Sequence, residues 1–258
     1  KTWAVCSGLN YKLNEKRLIS KVIVDPDDEN IVLVGTRGGL FKSTDGGETW
    51  EAKGASRYYK DLIYRPGDFN TMLATSYIAG STYSSIYYSS DAGETWEEKE
   101  YLEGSNRIAV AYSPSDPDFC YALVSRASKN SFHSFWQSDD GGESWYEMSN
   151  YQNTNNILGR YAGTGNDAEV GQGFYDLAVI VHPEDEETVF TGGINIWRSF
   201  SGGDDFELMT HWTGWSGYPL VHADIHWFAF KPGTTELYAA SDGGIDRINL
   251  PNGEWEGI

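Results

Sequence analysis

An eight-residue phrase recurs along the chain at a near-constant interval, and this self-similarity constrains the fold more than any other feature. Ser43-Thr44-Asp45-Gly46-Gly47-Glu48-Thr49-Trp50 returns as Ser89-Ser90-Asp91-Ala92-Gly93-Glu94-Thr95-Trp96, and again as Ser138-Asp139-Asp140-Gly141-Gly142-Glu143-Ser144-Trp145. Its aspartates are 46 and then 49 residues apart. A fourth copy, Ser199 to Phe206, keeps the frame with Ser201 in place of Asp and Phe206 in place of Trp. A fifth, Asn249 to Trp255, is worn further.

A second marker keeps step with the first. Pro26, Pro66, Pro114, Pro183 and Pro232 each follow an apolar, strand-like run and open an acidic or Gly-rich turn, as in Val22-Ile23-Val24-Asp25-Pro26. Each turn leads to another β-run, a polar turn, a short strand, the phrase itself and a last short strand. Four short strands in a repeat of about 40–50 residues spell a β-propeller, and no stretch of helical period competes. The chain is therefore expected to be all-β, with four-stranded antiparallel blades at 15–54, 55–100, 101–149, 172–210 and 222–258. Lys1-Thr2-Trp3 reads like the end of a further copy, which makes residues 1–14 the tail of a preceding blade. An incomplete ring is expected, a fragment of a larger propeller that the rest of a longer polypeptide completes.

Within the phrase, glycine supplies the positive φ that a tight hairpin needs. Asp and Ser side chains accept hydrogen bonds from backbone N–H groups that the turn leaves unpaired. The Trp folds back over the blade edge. Ser43, Asp45, Gly47 and Trp50 are thus expected to be structural, as are Ser89, Asp91, Gly93 and Trp96, and Ser138, Asp140, Gly142 and Trp145. With strands A to D running outward from the axis, the Pro turns and these C–D hairpins share one face of the ring. The B–C turns and the D–A crossings between blades share the other. The acids of the Pro turns, among them Asp25, Asp27, Asp28, Glu29, Asp116 and Asp118, read as a solvated rim.

The copies resemble the Asp-box (bacterial neuraminidase, BNR) repeat over nearly the whole chain. Families that share it include sialidases, xyloglucan-cleaving endoglucanases, sortilin-type receptors, a photosystem assembly factor and secreted bacterial surface proteins. Val221-His222-Ala223-Asp224-Ile225-His226, with Ser241-Asp242-Gly243-Gly244-Ile245 after it, looks most like the last group, common among bacteria that use type IX secretion. The resemblance implies an extracellular or bacterial cell-surface location. Against a sialidase stands the missing Arg-Ile-Pro opening. Against a sortilin-like receptor stand the absence of Asn-x-Ser/Thr sequons and of that family's cysteine-rich companion segment.

Composition narrows the partners. The 258 residues carry a net charge of −19, which opposes phosphate backbones and anionic membrane surfaces, so nucleic acid is not an expected partner. Ten Trp, 17 Tyr and 11 Phe exclude a disordered chain. No run of about 18 apolar residues exists, so membrane insertion is not expected. Cys6 and Cys120 are too few for a disulfide framework and read as independent buried thiols.

Function is expected in the D–A loops, because loops on a rigid scaffold carry it. The third-to-fourth interval stretches to 61 residues. The excess lies in Ser149 to Gly173, which holds Arg160, Tyr161, Asn166, Asp167 and Gln172. The next crossing, Met209 to Val221, carries His211, Trp212, Trp215 and Tyr218. Such rings stack on sugars or on partner side chains, or pack the loops down. His222, Asp224 and His226, spaced by two, should fall on one side of an extended segment. Asp242 lies in the B–C turn of the same blade, and Tyr175 and Asp176 stand at matching height on the strand before. The His-x-Asp-x-His trio can rivet neighbouring blades, line a ligand wall or ligate a metal; no metal or other cofactor is expected. The ligand-binding set is Arg160, Tyr175, Trp212, Trp215, Tyr218, His222, Asp224, His226 and Asp242. The expected function is recognition of carbohydrate or of a protein partner. The alternative is a glycoside hydrolase, endoglucanase- or xyloglucanase-like rather than sialidase-like, in which two of Asp176, Asp224 and Asp242 flank the scissile bond.

Overall fold

Runs such as Val32-Leu33-Val34 and Cys120-Tyr121-Ala122-Leu123-Val124 are too apolar to leave one face in water, and they become second strands buried on both faces. The computed structural model describes residues 8–9, 18–77, 82–160, 170–250 and 253–258. The expected N-terminal tail strand, Cys6, Tyr161, Asn166 and Asp167 lie outside the described residues, save for Gly8 and Leu9 of that tail.

Among the described residues, twenty strands form five four-stranded antiparallel sheets, each with its strands in chain order, which makes an all-β, five-bladed propeller. Blade one holds β1 (Ile19–Val24), β2 (Val32–Thr36), β3 (Gly39–Ser43) and β4 (Glu51–Ala52). Blade two holds β5 (Tyr59–Arg65), β6 (Asp68–Ser76), β7 (Tyr83–Ser89) and β8 (Glu97–Glu103). Blade three holds β9 (Ser105–Tyr112), β10 (Cys120–Arg126), β11 (Phe132–Ser138) and β12 (Tyr146–Asn150). Blade four holds β13 (Ala178–His182), β14 (Asp185–Gly192), β15 (Ile196–Ser199) and β16 (Glu207–Leu208). Blade five holds β17 (Ile225–Phe230), β18 (Glu236–Ser241), β19 (Gly244–Asn249) and β20 (Glu256–Gly257). β8 runs on to Glu103, where it pairs with Tyr83, so blade two extends beyond residue 100.

The core lies between blades rather than within one. Leu33 and Leu40 of blade one pack on Tyr59, Leu62 and Met72 of blade two. Leu73 and Ile86 pack on Ile108, Val110 and Cys120. Phe132 and Phe135 meet Val181, Val189 and Trp197, and Phe190 and Ile196 meet Ile225, Phe228 and Leu237. Burial pushes the Cys120 thiol up, leaving it inert packing. The inner strands β1, β5, β9, β13 and β17 surround a central channel of about 720 Å³. Between blade five and blade one, Lys21 sets its ammonium 3.9 Å over the Trp227 ring, while Val22 and Trp227 stay 57% and 55% exposed.

The repeated hairpins hold themselves by short-range hydrogen bonds. Ser43 donates to Asp45 Oδ1 at 2.7 Å and accepts from the Gly47 N–H at 2.8 Å. The Thr49 N–H and hydroxyl donate to the two Asp45 oxygens at 2.8 and 2.5 Å, and Trp50 Nε1 donates to the Gly47 carbonyl at 2.9 Å. The Ser89–Trp96 and Ser138–Trp145 turns repeat every one of these bonds. In the fourth copy Ser201 takes the Asp place and donates onward to Asp205 at 3.0 Å, and Phe206 packs edge-on against Phe135. The hairpins of blades two, three and four also dock on the preceding blade, where Gly93, Gly142 and Gly203 meet Leu33, Leu73 and Phe135. A Cβ on Gly203, at φ +98, would lie 2.1 Å from Phe135 Cδ1, so only glycine closes that contact.

Candidate functional site

The end of the long crossing from β12 to β13, from residue 170 onward, lies on blade three. The Gly171 and Gly173 N–H groups donate to the Lys129 and Asn130 carbonyls at 3.0 and 2.8 Å. A Cβ on Gly173 would lie 2.4 Å from Ser125 Oγ, so the approach demands glycine. The chain then makes a tight turn, with the Tyr175 and Asp176 N–H groups donating to the Gln172 carbonyl at 2.6 and 3.1 Å. Arg107 of β9 clamps it from below, donating to the carbonyls of Gly173 (3.2 Å), Tyr175 (2.8 Å) and Leu177 (3.4 Å).

This turn buries Asp176 completely, and neither carboxyl oxygen finds a hydrogen-bond partner among the described residues. Burial first, and then the charge of Asp224, push its pKa up to about 8. Asp176 is therefore protonated at neutral pH. Asp224 accepts from Gln172 Nε2 at 3.0 Å. Asp242 accepts from Tyr175 Oη at 3.1 Å on each oxygen, and His226 Nε2 lies 2.6 Å from Oδ1. The His226 contact is the largest of the effects that hold Asp242 below the ordinary carboxylate range, and the bond to Asp242 raises Tyr175. The His226 ring meets Tyr175 edge-on at 4.8 Å.

His222, Asp224 and His226 do not line one side of a strand as their spacing implies. β17 starts only at Ile225, Asp224 sits at φ +69, and the register slips between Ile225 and Trp227. The alternation is broken, and each side chain turns to a different partner. The His222 ring lies on Gly243, where a Cβ would approach its Cγ to 2.3 Å. Among the described residues, no group of three or more His, Cys, Asp or Glu side chains is placed to hold a metal ion.

The second crossing supplies rings. Trp212 is fixed by Asn195 Oδ1, which accepts its N–H at 2.9 Å, and by the Arg160 carbonyl, which accepts from Nε1 at 3.2 Å. Trp215 opens a short 3-10 turn (Trp215–Gly217) behind Gly214 at φ +67. Trp212, Trp215, Tyr218 and Tyr175 stay exposed, and so does Phe174, which the sequence reading passed over. His211 is buried, accepts from the Thr213 N–H at 3.2 Å and packs beside Trp215, a structural role. Arg160 contributes its carbonyl oxygen to Trp212 and Asn195. Exposed aromatic faces beside fixed hydrogen-bonding groups suit a ligand that is apolar on its faces and polar at its edges.

No protein-family model matches the chain, and no curated protein matches it. Solved structures do resemble it. An ancestral GH74 enzyme superposes with a TM-score of 0.66 at 16% identity, covering 93% of this chain and 31% of that one. The GH74 xyloglucanase from Xanthomonas campestris gives 0.61 at 16% identity, covering 91% of this chain and 38% of that one. YCF48 from Cyanidioschyzon merolae gives 0.53 at 16% identity, covering 91% and 67%. The chain thus spans about a third of the length of those GH74 enzymes. At these identities the shared property is the propeller fold.

Proposed function

We propose that this propeller recognises carbohydrate through the face bearing its D–A crossings and B–C turns. The observation that carries the reading is the set of exposed rings on the two D–A crossings, Phe174, Tyr175, Trp212, Trp215 and Tyr218, of which Tyr175 is held in a hydrogen-bonded cluster with Asp242 and His226. An Asp-box origin for the repeats and an extracellular or bacterial cell-surface location accompany it. Among the described residues, no helix is long and apolar enough to cross a membrane. The exposed apolar residues Val22 and Trp227, on the inner strands of blades one and five, support the further proposal that additional chain packs there.

One observation favours glycoside hydrolysis as a second reading. Asp176, raised to about 8 beside Asp224, has the protonation that a general acid requires. Its complete burial argues the other way, since a carboxyl without exposed surface does not meet a glycosidic oxygen. Calorimetric titration with plant, algal and animal oligosaccharides, run beside a reducing-end assay, tests the choice. Saturable binding without new reducing ends is expected, and Trp215→Ala should weaken it about tenfold, the equivalent of about 1.4 kcal/mol. Turnover that Asp224→Asn abolishes would establish the hydrolase instead.

A further inference from the structure

In a chain with a net charge of −19, the central channel is lined with positive charge. Its lining includes Lys21, Lys60, Arg107 and His226, and Asp61 is the one acid among the lining residues. These groups enter near the starts of successive inner strands, Lys21 on β1, Lys60 on β5, Arg107 on β9 and His226 on β17. They therefore gather at the channel mouth that opens on the face with the exposed rings.

Asp61 is already engaged. It pairs with Lys21 at 3.0 Å and accepts the Leu62 and Val110 N–H groups, each at 3.2 Å. Arg107 donates to three backbone carbonyls, and the carboxylate nearest it in effect is Asp61, which is already shared with Lys21. Lys60 is half-buried, and its neighbours are the Tyr58 and Tyr77 rings, 5.9 and 5.6 Å from the ammonium. Among the described residues it has no carboxylate and no carbonyl partner. Burial, and after it the positive charge of Arg107, hold its pKa below the ordinary lysine value. A half-buried ammonium between two aromatic rings, with a second cation behind it and the neighbouring Asp61 already paired with Lys21, is chemically suited to a monoanion.

We propose that the channel mouth is a carboxylate-binding site, with Lys60 as the direct partner and Arg107 as the fixed charge behind it, and that the ligand is an acidic saccharide whose uronate group enters the mouth. The saccharide part rests on the carbohydrate reading of the exposed rings on the D–A crossings; the anion site does not. A uronate combines a ring face for stacking with one carboxylate for the ammonium, and a neutral sugar would leave Lys60 unpaired.

The test uses oligogalacturonate and its methyl ester, in which a methyl on each carboxyl removes the charge, on the wild-type chain and on Lys60→Met and Lys60→Arg. Calorimetry should show the acid bound at least about tenfold more tightly than the ester. Lys60→Met should erase that preference without changing ester binding, and Lys60→Arg should keep it. Equal binding of acid and ester by the wild type, or a preference that survives Lys60→Met, overturns the proposal. A second measurement follows the NMR signal of Lys60 after reductive 13C-methylation, the signal that Lys60→Met removes, during titration with acetate and galacturonate. A saturable shift without binding of either oligosaccharide keeps the anion site and discards the carbohydrate reading. Oligosaccharide binding with no carboxylate-induced shift does the reverse.

Discussion

Asp176 shows how one residue's environment sets its chemistry. Desolvation and Asp224 hold a proton on it up to a pH of about 8, far above the value of an unfolded chain. The unfolded state loses that proton near pH 4, so stability present below that point is lost as pH rises through about 8. Asp176→Asn removes the titration while keeping the shape. Thermal melts from pH 4 to 9 should show wild type and variant converging at the acid end. At the alkaline end the variant should be more stable by an amount on the order of a few kcal/mol. A gap that stays constant across the range would contradict the assignment. Residues of this kind are the least legible in sequence. Nothing in Phe174-Tyr175-Asp176 announces burial, which comes from Arg107 sixty-odd residues away drawing the turn down.

Among elements, the hairpins were readable because their bonds are local. The Ser138 hydroxyl donates to Asp140 and accepts from the Gly142 N–H, both within four residues, so the pattern of residue types carries the turn's geometry. Ser138→Ala should cost about 1–3 kcal/mol in urea unfolding, the amount for a buried hydrogen-bond pair, and leave saccharide affinity unchanged. What the phrase does not reveal is its contact with the preceding blade. Gly203→Ala should exceed the roughly 1–2 kcal/mol of a left-handed alanine, because the new methyl meets the buried Phe135 ring. Gly233→Ala, at φ +72 with open space around it, should cost only that conformational share. Equal destabilisation of the two variants would show that the blade contact is soft.

At the scale of the molecule, the propeller was legible in two markers that keep step, and the face that carries the rings followed from strand parity. The His222-Asp224-His226 alignment failed because positive φ at Asp224 and the register slip beyond it are invisible to a period of two. The cationic mouth was missed although a signal exists. Lys21, Lys60, Arg107, Asp176 and His226 each stand five to seven residues before a turn proline, so aligning the repeats on those prolines brings them into one column. Read singly, each is one polar residue at the start of a strand.

The division between scaffold face and recognition face is the central claim, and hydrogen exchange measured with and without a bound oligosaccharide tests it most directly. Added protection should fall on Gly171 to Leu177, Thr210 to Asp224 and Asp242 to Gly244. Protection appearing instead at Ser43–Trp50, Ser89–Trp96 and Ser138–Trp145 would place the ligand on the hairpin face and contradict the account.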